Sequence, residues 1–172
     1  MKNILIIGGT RNMGYHLTQS LLSAGHRVTI LNRGLTPDNL PETVHRLRAD
    51  RNNAQQMKRA LMGKAFDVVV DFVMFDAPEA QVTVQLLRDR VEHYIFISTG
   101  QVYLVREGIQ RPFSEDDYDG RLQPAPKANT FAYEEWVYGI NKRKAEDIFF
   151  QAHEDFGFPI TSLRLPMVNS ER

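Results

Sequence analysis

A tyrosine and a lysine four residues apart, Tyr138 and Lys142, form a pair of side chains suited to proton transfer. We predict a helix over residues 133–155, and residues four apart lie on one face of a helix. A nearby ammonium stabilises phenolate and lowers the pKa of a tyrosine, which makes the phenol a usable acid or base near neutral pH. The same spacing also fits an amphipathic helix with a half-buried tyrosine and a solvated lysine, so the pair alone leaves both interpretations open.

Polar residues follow two apolar runs that we predict to be strands. The run 93–98 leads into Ser98 and Thr99, and the run 27–32 ends at Asn32 and Arg33. The carboxyl ends of parallel strands meet at one edge of a sheet, where open α/β folds bind their ligands. We therefore expect the two hydroxyl groups near the substrate, and Asn32 with Arg33 where an adenosine ribose would arrive.

A glycine-rich turn follows the first apolar run, residues 4–7, and precedes a predicted helix over residues 15–24. Gly8 and Gly9 would let the backbone approach a pyrophosphate, and the helix N-terminus favours an anion. Gly14 would let the helix pack closely on the strand. An ordinary strand-to-helix turn is the simpler alternative, but the position between a buried strand and a helix favours phosphate binding.

The rest of the chain repeats this alternation of strand and helix. Such an order predicts right-handed crossovers and a parallel sheet with helices on both faces. We predict a doubly wound α/β Rossmann fold of three layers, with strand order 3-2-1-4-5-6 and an irregular, functional segment over residues 100–130. The predicted strands are 4–7, 27–32, 44–49, 67–72, 93–98 and 159–165, and the predicted helices are 15–24, 54–62, 78–90 and 133–155.

Composition excludes several classes of site. The 172 residues include no cysteine, which rules out disulfides, thiolate metal ligands and cysteine nucleophiles, and the five histidines share no metal-ligand spacing. Lys plus Arg equals Asp plus Glu at 21 each, so net charge provides no drive towards nucleic acid or membrane. We expect no signal peptide, no membrane span and a cytoplasmic location. A local anion site is favoured by five clustered arginines: Arg27, Arg33, Arg46, Arg48 and Arg51.

The motifs together resemble the extended short-chain dehydrogenase/reductase superfamily, specifically its NAD(P)-dependent epimerase/dehydratase branch, across nearly the whole chain. They occur in the expected order and at sensible spacing. The matching segments are the glycine motif Gly8–Gly14, Asp50-Arg51 after the third strand, the fourth strand Asp67–Val73, the serine-rich segment Ser98–Tyr103, the Tyr-x-x-x-Lys helix Tyr138–Lys142 with Glu146 beyond it, and the sixth strand and turn Leu163–Pro166.

The resemblance implies a role for each matching residue. Tyr138 would exchange a proton with a substrate hydroxyl or carbonyl, while Lys142 lowers its pKa and holds the nicotinamide ribose. Thr99 takes the catalytic Ser/Thr position and would bond the same substrate oxygen. The implied cofactor-binding residues are Gly8, Gly9, Thr10, Arg11, Asn12, Met13, Gly14, Asn32, Arg33, Asp50, Arg51, Phe72, Val73, Ser98, Tyr138, Lys142 and Pro166.

Two departures from the family pattern bear on the cofactor. Arg11 replaces the middle glycine, and Asn32 with Arg33 replaces the acidic residue that ends the second strand. An aspartate there would bind a free ribose 2′-hydroxyl and repel a 2′-phosphate, whereas asparagine flanked by guanidinium groups does the reverse. We therefore predict NADP(H) in preference to NAD(H).

The resemblance also sets expectations for the whole protein. Chains of this family continue past the sixth strand into a region that supplies most substrate contacts, whereas this sequence stops at Arg172. We expect residues 1–172 to form the NAD(P)-binding domain, with that substrate-binding region absent or truncated. A nucleotide-sugar-like small molecule is the expected substrate of an epimerase, dehydratase or reductase, and a homodimer through the helices 78–90 and 133–155 is a family expectation.

A second interpretation belongs to a different functional class. The opening Gly-Gly-Thr-Arg and the later Asn-Arg-Gly also resemble an atypical branch that includes chloroplast stem-loop RNA-binding proteins. There the fold serves RNA, and the arginine-rich stretch would favour that use. Zero net charge and the presence of Thr99, Tyr138 and Lys142 favour the enzyme instead.

Overall fold

The computed structural model describes residues 1–168. The end of the sequence at Arg172, on which the expectation of a truncated protein rests, lies outside the described residues. Strands and helices alternate as the hydrophobic runs predict. The strands are β1 Asn3–Ile7, β2 Arg27–Asn32, β3 His45–Arg48, β4 Phe66–Asp71, β5 Val91–Thr99 and β6 Ile160–Leu165; the helices are α1 Asn12–Ser23, α2 Ala54–Leu61, α3 Ala77–Leu87, α4 Gln101–Leu104 and α5 Phe131–Phe156, with a 3-10 helix at Glu115–Tyr118.

The six strands form one parallel sheet in the order β3-β2-β1-β4-β5-β6, which confirms the predicted doubly wound topology. Alternate side chains of β1 enter two separate hydrophobic clusters. Ile4 and Ile6 pack with α1 on one face, while Leu5 and Ile7 pack with α2, α3 and α5 on the other. Burial on both faces explains why the central strands are continuous apolar runs. The layers are therefore helix, sheet and helix.

Local sequence signals set the helix boundaries. Asn53 caps α2 by accepting a hydrogen bond from the Gln56 N–H, and Gly157 ends α5 in the left-handed conformation with φ of 74°. Asparagine before the first turn and glycine after the last are typical signals of helix ends. The prediction for α5 began two residues late, because Thr130 caps the helix by accepting from the Tyr133 N–H and the exposed Phe131 already belongs to it.

The segment 100–130 is more ordered than its sequence predicted. It contains α4 and the 3-10 helix, both of which the prediction missed because each is four residues long. Long-range contacts hold it in place: Arg143 donates to the Val102 and Tyr118 carbonyls at 2.8 and 2.7 Å. The segment consequently forms a fixed wall above the carboxyl end of β5.

The helices within residues 1–168 include none that is both long enough and apolar enough to cross a membrane.

Candidate active site

The glycine-rich turn between β1 and α1 has the geometry of a phosphate cradle. Gly8 and Gly9 have φ angles of +106° and +86°, which side-chain-bearing residues rarely adopt. A Cβ on Gly14 would lie 2.8 Å from the Gly9 nitrogen, so only glycine allows α1 to approach the turn this closely. Thr18 fastens the arrangement by donating to the Gly14 carbonyl at 2.7 Å. The residues present therefore fit a dinucleotide pyrophosphate.

A cavity of about 480 Å³ opens from this turn. Its volume is typical of small-molecule sites. The cavity extends past the carboxyl ends of β2 and β3. Phe72, Val73 and Phe75, which follow β4, form another of its walls. The predicted cofactor residues that line it are Gly8, Gly9, Thr10, Arg11, Asn12, Met13, Gly14, Asn32, Arg33, Asp50, Arg51, Phe72 and Val73.

The five clustered arginines do not form one anion site. Arg27 begins β2 at the opposite edge of the sheet, and Arg46 pairs with Asp38 at 2.8 Å. Arg51 points into the protein, where its guanidinium pairs with the fully buried Asp71 and donates to Thr83. Arg33 and Arg51 line the first cavity, and Arg48 contacts Asn32 beside it, but the Arg51 guanidinium is directed to Asp71. The expectation of a five-arginine site is therefore corrected by the tertiary contacts.

A second cavity, of about 1140 Å³, lies over the ends of β5 and β6. It is lined by all three predicted catalytic residues, Thr99, Tyr138 and Lys142, and by Ser98 and Pro166. The two cavities share three lining side chains and are therefore neighbours across one wall. These shared side chains are Met13, Phe72 and Phe75.

Lys142 is buried at the base of the second cavity. Only 2% of the residue is exposed, and its ammonium donates to the Ile97 carbonyl at 2.9 Å. The Nζ atom lies 5.8 Å from the centroid of the Tyr138 ring. Burial lowers the pKa of Lys142 to about 8, although Glu146 and Glu79 act in the opposite direction. Both protonation states are thus accessible close to neutral pH.

Tyr138 does not show the lowered pKa that its spacing to Lys142 predicted. Burial raises the pKa of its phenol, and Glu135 adds to the increase, while the Thr99 hydroxyl lowers it. Desolvation of the phenolate therefore outweighs the stabilisation that the Thr99 hydroxyl provides. The phenol is protonated at neutral pH and can act as a proton donor.

Burial of the Lys142 ammonium leads to a stability prediction. The pKa is about 8 in the folded protein against 10.5 in the unfolded chain, so at lower pH the folded state carries a charge that is costly to bury. We expect Lys142→Met to raise the free energy of unfolding at about pH 7 by on the order of 1–3 kcal/mol. Loss of the hydrogen bond to Ile97 reduces the gain below the full desolvation cost.

The lowered pKa of Lys142 also determines how the effect of Lys142→Met on stability changes with pH. As pH rises from about 8 to 10.5, folded Lys142 loses its proton before the unfolded chain does, so the wild type gains stability and the advantage of Lys142→Met disappears. Urea denaturation at about pH 7 and about pH 10 measures both ends of this window. Lys144→Met, at an exposed position of α5, is the control. An advantage that grows with pH would contradict the prediction.

Sequence reasoning missed other residues of the site. Arg164 on β6 lines the second cavity and pairs with the fully buried Glu146 at 2.9 Å. The charged residue within an apolar strand was the available signal, since a buried guanidinium needs a partner. Phe75 lies in the wall shared by the cavities, with its ring centroid 5.4 Å from Lys142 Nζ, and no sequence pattern pointed to it.

Metal chemistry has no evident site in the part of the chain that the structure describes. Among residues 1–168, no group of three or more His, Asp or Glu side chains is arranged to hold a metal ion.

The parallel sheet, the glycine-rich turn and the adjoining cavity have the architecture of a Rossmann-type nucleotide-binding fold. Residues 4–172 match the NAD dependent epimerase/dehydratase family, and the chain belongs to this family. The UDP-Glc/GlcNAc 4-epimerase of Campylobacter jejuni has a similar structure, with a TM-score of 0.74, 19% identity, and coverage of 94% of this chain and 52% of that one.

Two curated proteins are similar in sequence. The chloroplast stem-loop binding protein of 41 kDa b from Arabidopsis thaliana is 33% identical over 142 residues, which are 75% of this chain and 37% of that protein. The 2'-dehydrokanamycin reductase of Streptomyces kanamyceticus is 33% identical over 82 residues, which are 48% of this chain and 23% of that protein. The chain thus spans well under half the length of either relative.

Proposed function

We propose that this protein is an NAD(P)-dependent epimerase, dehydratase or reductase that acts on a nucleotide-sugar-like substrate. One observation carries the proposal: the cavity lined by Thr99, Tyr138 and Lys142 adjoins the cavity at the glycine-rich turn. A dinucleotide bound at the turn would reach the three polar side chains across the shared wall. Family membership supports the same class of reaction.

The nicotinamide of such a cofactor supplies the hydride chemistry, and the protein supplies binding, orientation and proton transfer. Tyr138 holds a proton on its phenol oxygen and donates it to the substrate oxygen when a carbonyl is reduced; the phenolate accepts it in the reverse direction. Thr99 donates a hydrogen bond to the same oxygen. Lys142, when protonated, stabilises the phenolate and donates to ribose hydroxyls.

Three residues favour NADP(H) over NAD(H). Asn32 stands where an acidic residue would repel a 2′-phosphate, and Arg33 beside it lines the first cavity. Arg11 lines the same cavity and donates to Thr36 at 3.1 Å, which holds its guanidinium on the cofactor side. Positive charge at the end of β2, where no acidic residue directly follows the strand, attracts a phosphate.

The substrate class is inferred from one solved structure together with the second cavity, and one curated relative supports the reductase class of reaction. One solved structure of similar fold is named as a UDP-Glc/GlcNAc 4-epimerase, and one curated relative as a 2'-dehydrokanamycin reductase. A cavity of about 1140 Å³ is large enough for a sugar nucleotide. We place residues 1–172 in the NAD(P)-binding part of the protein and propose a cytoplasmic location.

We also propose a homodimer through α3 and α5. These helices pack side by side on one face of the sheet. The exposed Phe150 and Phe156 of α5 provide apolar surface for such an interface, since each is 36% exposed.

The proposed reaction is tested by incubating the protein with NADP+ or NAD+ and a panel of UDP- and dTDP-sugars. We expect substrate-dependent formation of reduced nicotinamide or of an epimeric sugar, measured by absorbance and chromatography. Cofactor binding without turnover of any sugar nucleotide would contradict the substrate class. Failure to bind either cofactor in calorimetry would overturn the whole proposal.

RNA binding is the second candidate function, supported by the relative named as a stem-loop binding protein. The zero net charge and the dispersal of the clustered arginines speak against it. Salt-sensitive binding of a stem-loop RNA by a protein that binds no dinucleotide would favour RNA over the enzyme.

A further inference from the structure

Arg48 is exposed and contacts two residues that line the first cavity, Asn32 and Gly34. It ends β3 and is in register with Asn32, which ends the neighbouring strand β2. Its guanidinium donates to the Asn32 side-chain oxygen. A Cβ on Gly34 would lie 2.8 Å from the guanidinium carbon, so Gly34 leaves the space that Arg48 occupies. The guanidinium therefore covers the turn that leaves β2.

The hydrogen bonds of the Asn32 side chain determine which ligand groups can bind beside it. Asn32 Oδ1 receives the Gly34 N–H at 2.8 Å as well as the Arg48 guanidinium. An amide oxygen has two lone pairs, so both acceptor positions are filled. A ribose 2′-hydroxyl finds no free acceptor on this oxygen, whereas the remaining N–H groups of Arg48 are donors for an anion.

The charge of Arg48 is also uncompensated locally. None of the ion pairs formed within residues 1–168 includes it, although its strand neighbour Arg46 pairs with Asp38. An aspartate in place of Asn32 would neutralise it. The amide instead orients the guanidinium and leaves its charge intact.

We propose that Arg48 reads the 2′ position of the adenosine ribose by binding a 2′-phosphate through its free N–H groups. This inference rests on the proposed function, since it requires a dinucleotide in the first cavity. Arg48, held in place by Asn32, would then discriminate between NADP(H) and NAD(H). Arg33, which follows Asn32 and lines the first cavity, adds charge.

The test is calorimetric titration of NADPH and NADH into wild type and Arg48→Ala. A charge-assisted contact to phosphate predicts a Kd for NADPH that rises about 10- to 100-fold, with the Kd for NADH changed less than about threefold. Arg27→Ala is the control, because it removes the same charge at the opposite edge of the sheet. Asn32→Asp, which supplies Arg48 with a carboxylate, should lower the preference for NADPH without removing the arginine.

The outcomes separate this inference from the proposed function. Equal loss of both cofactors in Arg48→Ala, or a preference for NADPH lost only in Arg33→Ala, overturns the role of Arg48 and leaves the dinucleotide site in place. Equal affinity of wild type for the two cofactors does the same. A wild-type protein that binds neither cofactor overturns both.

Discussion

Tyr138→Phe is expected to lower the rate of hydride transfer by about 10²- to 10⁴-fold, the usual contribution of a positioned general acid or base. The substitution removes one oxygen from the wall of the second cavity and leaves the glycine turn and the ends of β2 and β3 unchanged. Affinity for the dinucleotide should therefore stay within about threefold of wild type, since the lost group acts mainly in the transition state.

The measurement is single-turnover reduction of NADP+ by the sugar nucleotide that reacts fastest with wild type. Tyr133→Phe is the matched control, because Tyr133 lies on the same helix but stacks on Trp136 at 6.2 Å and does not line the cavity. This direction of the reaction, the reduction of NADP+, needs the phenolate, and burial raises the pKa of Tyr138, so the wild-type rate should rise towards alkaline pH as the phenol ionises. Turnover retained in Tyr138→Phe would remove this residue from proton transfer.

Asp71→Asn is expected to lower the free energy of unfolding by about 3–5 kcal/mol, because it removes one partner of a buried ion pair. Asp71 is fully buried at the end of β4, where its carboxylate forms an ion pair with Arg51 and accepts from Tyr94 at 2.7 Å and from the Val73 N–H at 3.0 Å. Burial lowers the pKa of Arg51, which shows how poorly its charge is solvated there.

Urea denaturation measures this loss, and the double variant Arg51→Met with Asp71→Leu tests its cause. Removing both charges should recover most of the stability, because the penalty of Asp71→Asn comes from the unpaired guanidinium. Glu92→Gln breaks the solvent-exposed pair with Lys2 and should leave the denaturation midpoint unchanged. Equal loss in the single and double variants would show that packing around Asp71, rather than charge, sets its contribution.

The Arg51–Asp71 pair illustrates an interaction that sequence reasoning did not predict. Arg51 follows Asp50 at the end of β3, and both were predicted to contact the cofactor. Both residues border the first cavity, but the guanidinium turns to a carboxylate 20 positions further along the chain, at a parallel strand beyond β1. Nothing local in the sequence distinguishes an arginine that faces a ligand from one that pairs in the interior.

The pKa values of Tyr138 and Lys142 were likewise set by the tertiary structure. The helical spacing of Tyr138 and Lys142 correctly placed them in one cavity, because four residues make about one turn. Their protonation depended on how far the surrounding chain excludes water, and burial shifted the pKa of Tyr138 upwards against the expected direction. Desolvation is a property of the packed interior, so spacing could not reveal it.

The amino-acid sequence by itself determined the order of strands and helices, the parallel sheet and the glycine turn, because hydrophobic periodicity and the steric freedom of glycine act over neighbouring residues. Only the tertiary structure decided which charges are paired, which face the cavities and where the segment 100–130 lies. Those outcomes depend on groups brought together from distant parts of the chain, such as Arg48 beside Asn32 and Arg143 beneath Tyr118.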